Sequence, residues 1–161
     1  MSSGNALVDA VSTLPYSACP LEGVGTAGQP SESAWADLAR AGFRTVVDLR
    51  APEEARGHDE AAAVRRAGME YILLPVTPAT LRDESYDRFR EIMRDPARRP
   101  ILVHCATANR VGALLIPYLM LDEGRPTEDS IQLARQVGLR SPEYVTMALA
   151  YVERHGAPRR P

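Results

Sequence analysis

The chain contains no lysine: all 19 of its basic residues are arginine. Schiff-base chemistry and lysine general bases are thereby excluded. Cysteine is nearly as scarce, with Cys19 and Cys105 the two in 161 residues, too few for a disulfide framework. No apolar run reaches the length of a membrane span. Met1 to Tyr16 lacks the basic segment and apolar core of a signal peptide, so a cytoplasmic protein with no membrane partner is expected. A formal net charge of −2 offers no basic field to a nucleic acid. No repeat or low-complexity tract appears. His58-Asp59-Glu60 reads as a solvated loop and helix cap rather than a ligand set, so neither metal nor cofactor is predicted.

What is present is an ordinary soluble composition, 45% hydrophobic and 25% charged, long enough to bury one core. Residues 1–20, broken by Pro15 and Pro20, read as an irregular arm, residues 21–156 as the folded domain, and residues 157–161 as a frayed tail. Leu21 to Ala27 reads as a short edge strand ending at Gly28-Gln29-Pro30. Ser31 is placed as an N-cap, and Trp35, Leu38 and Ala39 share a helical face closed by Gly42. Thr45 to Arg50 reads as a buried strand. Pro52 opens an acidic segment with partial helical character. A clearer helix spans Asp59 to Ala67, and a strand Glu70 to Val76. Tyr86, Phe89, Ile92 and Met93 form a helical stripe ended by Asp95-Pro96. After the next strand come a helix from Arg110 to Glu123, kinked at Pro117, one from Thr127 to Gly138, and one from Ser141 to Gly156. This alternation predicts an α/β fold: a single-domain, three-layer arrangement, its central sheet mostly parallel, with helices on both faces.

The chemistry is concentrated in Ile101-Leu102-Val103-His104-Cys105-Ala106-Thr107-Ala108-Asn109-Arg110-Val111-Gly112. A buried strand runs through a tight loop directly into a helix. Such a junction aims backbone N–H groups and the positive end of a helix at one spot, which suits an anion. Helix N-termini and nearby cations also favour the thiolate of a cysteine placed there. Cys105 is therefore expected to be a nucleophile within an anion cradle lined by Ala106, Thr107, Ala108 and Asn109 and closed by Arg110. Asp48, Arg50 and Thr77 fall at the same carboxyl edge of the sheet. Asp48 and Arg50 read as a structural ion pair, with Arg50 a secondary candidate for substrate contact. Cys19 reads as an unremarkable thiol, and His155 as a partner for a helix dipole.

His104-Cys105 with Arg110-Val111-Gly112 resembles the signature loop of cysteine-dependent tyrosine and dual-specificity phosphatases. Gly28-Gln29-Pro30, the stretch Ala41 to Arg50, and Leu74-Pro75-Val76-Thr77 extend the resemblance to the bacterial phosphatase-like domain of the beta-lactamase-hydrolase-like family, over residues 21–155. The resemblance implies a phosphatase-like P-loop and hydrolysis of phosphate monoesters, of aryl phosphate or phosphotyrosine type, through a phosphocysteine on Cys105. It implies that Arg110 clamps the oxyanion and that His104 orients the loop.

The chain departs from that pattern in three places. Four residues separate Cys105 from Arg110, where the phosphatase loop has five. Val111 stands where a hydroxyl usually helps the cysteine leave, with Thr107 a possible substitute. The loop Pro75 to Thr80 has no carboxyl to protonate a leaving group, and Asp83, the nearest, is also placed to cap a helix. Ala108 occupies a position where a left-handed backbone is expected to be strained. The four-residue spacing resembles the loop of rhodanese-type sulfurtransferases, which implies a Cys105 persulfide and a sulfur-oxyanion substrate. A non-catalytic module that binds an anion or a protein is the third reading.

Overall fold

Alternating side chains on three short strands divide the interior in two. The computed structural model describes residues 3–156. Strands β1 (Ala18–Leu21), β2 (Val24–Ala27), β3 (Thr45–Asp48), β4 (Glu70–Leu73) and β5 (Ile101–His104) form one sheet in the order β1-β2-β5-β3-β4. The β1–β2 pair is antiparallel, and every other pairing is parallel. Val46 and Leu102 pack with the helices on one face, while Val47, Ile101 and Val103 pack on the other. The first layer holds α1 (Ser3–Ser12), α2 (Ala34–Ala41) and α3 (Glu60–Arg66). The second holds α4 (Asp83–Arg94), α5 (Asn109–Leu121), α6 (Thr127–Val137) and α7 (Pro142–His155). The predicted three-layer α/β fold is the observed one.

At the centre of the second layer, α5 is apolar on nearly every side: Val111 and Ala113 to Ile116 are fully buried. A helix of that composition is stable only when surrounded, and the sheet, α4, α6 and α7 surround it. Gly112 permits the approach of α6, since a β-carbon there would lie 2.8 Å from the Ala134 carbonyl oxygen. The helix continues through Pro117 to Leu121. Gly42, at φ 111°, closes α2 in the left-handed conformation expected of a C-terminal glycine.

Several expectations are corrected. The N-terminal arm is not irregular: α1 forms, and Val11 and Leu14 are buried against the first layer, with Leu7 and Ala10 packed beside them. Positions 7, 10, 11 and 14 make one helical face, too short to stand out among the surrounding Ser, Thr and Pro. Leu21 to Ala27 is not a single edge strand. It contains the turn of a hairpin, Glu22-Gly23, with β1 at the edge and β2 inside the sheet. Ser31 does not cap α2; Ser33 holds that position, and the Ser31 carbonyl accepts from the Ala34 amide at 3.0 Å. The acidic segment after Pro52 is not helical. Arg56 instead ties it to the exit of β3, donating to the carbonyls of Glu54 (2.7 Å) within the segment and of Arg50 (3.1 Å) and Ala51 (3.2 Å) just before it. The tail expected to fray, residues 157–161, lies outside the described residues. No helix among the described residues is long and apolar enough to cross a membrane.

Candidate active site

Strand register assembles the site. Ala27, His104 and Asp48 are neighbours at the carboxyl ends of β2, β5 and β3, so three chain exits leave the sheet side by side. They are stitched together by the Cys105 amide to the Ala27 carbonyl (3.3 Å), the Leu49 amide to the His104 carbonyl (3.0 Å) and the Gln29 amide to the Ala106 carbonyl (3.1 Å). The last of these requires Gly28, because a β-carbon there would sit 2.5 Å from the Ala106 oxygen.

Cys105 is buried at the start of the loop. Ala108 adopts φ 66°, as the sequence predicts for a strained position, at a cost of about 1–2 kcal/mol for a residue with a β-carbon. Among the described residues, none of the amides from Ala106 to Val111 donates to a backbone carbonyl. Those donors stand at the positive end of α5. The polar side chains of the loop turn to its support. Asn109 Oδ1 accepts from the Arg140 amide at 2.7 Å, and its Nδ2 donates to Ser141 Oγ at 2.9 Å. Thr107 Oγ1 accepts from Arg140 Nη2 at 2.5 Å.

Arg110 is held end-on. Its Nη1 and Nη2 donate to the two carboxylate oxygens of Glu54 at 2.8 and 3.0 Å, and Nη1 also reaches the Val76 carbonyl at 3.1 Å. Among the described residues its Nε has no partner, so the Nε–Nη2 edge retains donors for a tetrahedral oxyanion. The hydrogen bond from Arg110 is the main cause that holds the Glu54 carboxyl at about 2, and the same pairing raises Arg110. Tyr144 of α7 lies within electrostatic reach of both Arg110 and Cys105; burial pushes its phenol up.

Beneath the loop, on the α2–α3 side, lies a buried charged cluster. Because strand side chains alternate, His104 follows Leu102 and Asp48 follows Val46 onto that face. His104 Nε2 lies 2.5 Å from Glu60 Oε2, and its Nδ1 lies 3.3 Å from the Cys105 carbonyl. Gln29 Nε2 donates to Glu60 Oε1 at 2.8 Å. Asp48 Oδ2 accepts from Arg56 Nε and from the Tyr71 hydroxyl, each at 2.6 Å, while its Oδ1 accepts from the Arg50 amide at 2.9 Å. Burial acts to raise the Asp48 carboxyl, but the Arg56 hydrogen bond and the His104 charge outweigh it and the net shift is downward. Asp48, Glu60 and His104 have the residue types and proximity of a metal site. Their oxygen and nitrogen atoms are already committed to Arg56, Tyr71, Gln29 and one another, and the adjacent guanidinium opposes a cation.

Two sequence readings change here. The ion pair assigned to Asp48 and Arg50 is divided: Asp48 pairs with Arg56, and the Arg50 guanidinium with Glu54 (3.0 Å). Glu60 is not solvated, although its neighbour Asp59 does cap α3, accepting from the Ala62 amide at 3.1 Å. Asp83 lies at the start of α4 and is bound by Arg154 (2.5 Å) and by His155 (2.6 Å) in the last turn of α7. These partners, Arg154 first, hold its carboxyl at about 2. Thr77 is engaged with the Thr80 hydroxyl at 3.0 Å. Cys19 is on β1, which pairs with β2 alone at the sheet edge. It borders a cavity of about 420 Å³ lined by Leu7, Pro20, Val24 and Phe43, at the end of the sheet opposite the loop. Glu54, Arg56 and Tyr144 carry no signal in the sequence; Gln29 is the middle residue of the Gly28-Gln29-Pro30 turn, and Glu60 stands out there only within the His58-Asp59-Glu60 segment.

Comparison with known proteins gives this geometry a family. Curated relatives include a beta-lactamase hydrolase-like protein of Xylella fastidiosa, 28% identical over 115 residues. That match takes in 69% of this chain and 26% of the relative, so the chain spans about a quarter of the relative's length. Among solved structures, the DUF442 protein of Shewanella putrefaciens CN-32 superposes with a TM-score of 0.80 at 22% identity, covering 93% of this chain and 99% of that one. Tk-PTP in its active form gives a TM-score of 0.75 at 20% identity, covering 88% and 98%. These likenesses establish the fold. The family model described as "DSP-PTPase phosphatase fused to NAD+ Kinase" matches residues 23–146, and the chain belongs to that dual-specificity and tyrosine phosphatase family.

Proposed function

We propose that the protein hydrolyses phosphate monoesters of the aryl or phosphotyrosine type, with Cys105 as nucleophile. The observation that carries this reading is the set of loop amides without backbone acceptors, together with the open Nε edge of Arg110, around one buried cysteine. In this reading the Cys105 thiolate attacks phosphorus, an S–P bond forms, and the P–O bond to the aryl group breaks. Amides from Ala106 to Arg110 and the Arg110 guanidinium stabilise the charge that gathers on the oxygens. Water then attacks the phosphocysteine, releasing inorganic phosphate and restoring the thiolate. His104 orients the loop through its Glu60 and Cys105 contacts. Arg50 acts one step removed, through Glu54.

The aryl preference follows from the absent acid. Glu54, held at about 2, is ionised, and so is Asp83. A phenolate leaves without a proton donor far more readily than an alkoxide. The test is incubation with an aryl phosphate, rapid quenching and peptide mass analysis. A phosphoryl adduct on Cys105, with turnover abolished in Cys105→Ser, is the expected result. Parallel incubation with thiosulfate reads the alternative: a sulfur adduct on Cys105 without a phosphoryl adduct would replace hydrolysis by sulfur transfer. Oxyanion binding with neither adduct would leave a binding module.

A further inference from the structure

Six side chains form an unbroken hydrogen-bonded line from one end of the signature loop to the other. His104, immediately before the nucleophile, meets Glu60, and Glu60 accepts from Gln29 Nε2 at 2.8 Å. Gln29 Oε1 accepts from Arg50 Nη1 at 2.9 Å, Arg50 Nε donates to Glu54 at 3.0 Å, and Glu54 holds Arg110 from both oxygens. Gln29 sits at the middle of this line. Its amide supplies a donor to a carboxylate on one side and an acceptor to a guanidinium on the other, which neither a carboxylate nor an apolar side chain of the same length can do. Its own backbone amide is bonded to the Ala106 carbonyl, so the link begins on the loop it supports.

We propose that Gln29 is a positioning residue that couples the His104 and Arg110 ends of the loop and sets the placement of nucleophile and oxyanion clamp together. The proposal rests on the Cys105 reading above. Gln29 touches no reacting atom. Removing its amide leaves a buried Glu60 oxygen without its donor and Arg50 without one acceptor. Arg50 is then held by Glu54 and the Ala55 carbonyl (3.1 Å) without its third anchor, and Glu54, whose Oε2 also accepts from the Ala51 amide at 2.7 Å, loses part of the support that aims it at Arg110. Because the backbone bond to Ala106 is independent of the side chain, Gln29→Met retains the loop's attachment while cutting the line.

The test compares wild type, Gln29→Met and Gln29→Glu in the full chain. With an aryl phosphate, Gln29→Met is expected to lower kcat by about 10- to 100-fold, the scale of a small misplacement of catalytic groups, with KM raised by no more than about tenfold. The acid limb of its pH–rate profile should move from the wild-type position. Gln29→Glu, facing the Glu60 carboxylate, should lose more. In a Glu54→Met background, which removes the oxygen that accepts from both Arg50 and Arg110, the Gln29→Met effect should shrink to about twofold, since the line is already cut. A kcat within about twofold of wild type with an unmoved pH profile, or a full additional loss on top of Glu54→Met, would overturn the proposal. Should Gln29→Met fail to fold by thermal unfolding, Arg50→Gln breaks the same line from the other side and is read identically. A readout independent of turnover separates this proposal from the hydrolase reading. Inorganic phosphate should protect Cys105 from iodoacetamide, and Gln29→Met should need about tenfold more phosphate for equal protection. Equal protection of both proteins at one phosphate concentration would sink the coupling even if hydrolysis itself is established.

Discussion

Asp83, Arg154 and His155 make a surface cluster; Asp48, Glu60, Arg56 and His104 make a buried one. Both combine carboxylate, guanidinium and imidazole at similar distances. The first joins the start of α4 to the end of α7 at the surface, with side chains 29–55% exposed, where an ion pair gains little because solvent screens it. The second has been stripped of water, so every polar atom must be paired within the protein. The Arg110–Glu54 pair stands between them, with side chains 16% and 25% exposed. The same chemistry therefore has three values in one molecule, ordered by burial. The loop rests on the buried cluster, which makes the candidate site a place where single substitutions are costly.

The strongest test of that order is Glu60→Ala. Removing one member of a buried ionic network leaves its partners exposed to an apolar interior, and a loss of about 3–5 kcal/mol in urea unfolding is expected. A loss below about 1 kcal/mol would place the buried cluster with the surface one. Next comes Arg110→Lys, which retains charge but abolishes the planar two-point grip. Steady-state turnover of an aryl phosphate should fall about 10²- to 10³-fold, comparable to removing an oxyanion donor.

The half-buried pair has a distinct acid signature. The Glu54 carboxyl lies at about 2 against an ordinary value of 4.5. A depressed carboxyl contributes stability that is full above its unfolded value and is lost as pH falls toward its folded one. Acid unfolding followed by circular dichroism should therefore show stability declining between pH 4.5 and about 2, and Glu54→Gln should flatten that decline. An identical acid limb in both proteins would detach Glu54 from the stability of the loop. The smallest effect is expected at Asp83→Asn, whose urea-unfolding midpoint should stay close to that of wild type, and closer still in molar salt. Its turnover should match wild type, because a carboxyl held at about 2 is ionised at neutral pH. A tenfold slower rate would restore Asp83 as a proton donor.

Much of the fold is legible along the chain. Gly42 closes a helix, Pro142 opens one, and the stripe Tyr86, Phe89, Ile92, Met93 is buried as its spacing requires. The strands end earlier than their apolar runs: β3 stops at Asp48 and β4 at Leu73, where the chain turns to build the site. Within the site, Cys105, Arg110 and the loop between them are readable because they are contiguous. Glu54 and Glu60 are not, since nothing near them in sequence distinguishes these acids from solvated ones. Ala108 was readable in its strain but not in its surroundings, which include the Gly138 turn packed against it.

What the sequence by itself determined is local: a cysteine at the head of a tight loop, a strand that breaks into a helix, and an alternation of elements that permits a parallel sheet. Those properties are encoded in runs of a few residues, through periodicity, capping and backbone preference. Only the tertiary structure decided the partners. The parallel register of β2, β5 and β3 brought residues 29, 48, 54, 60 and 104 to one sheet edge, and their mutual hydrogen bonds there made polar and charged side chains, buried or half-buried, into a dependent network. Charge interactions depend on distance in space and on the water excluded between groups, and neither quantity is written in the order of the residues.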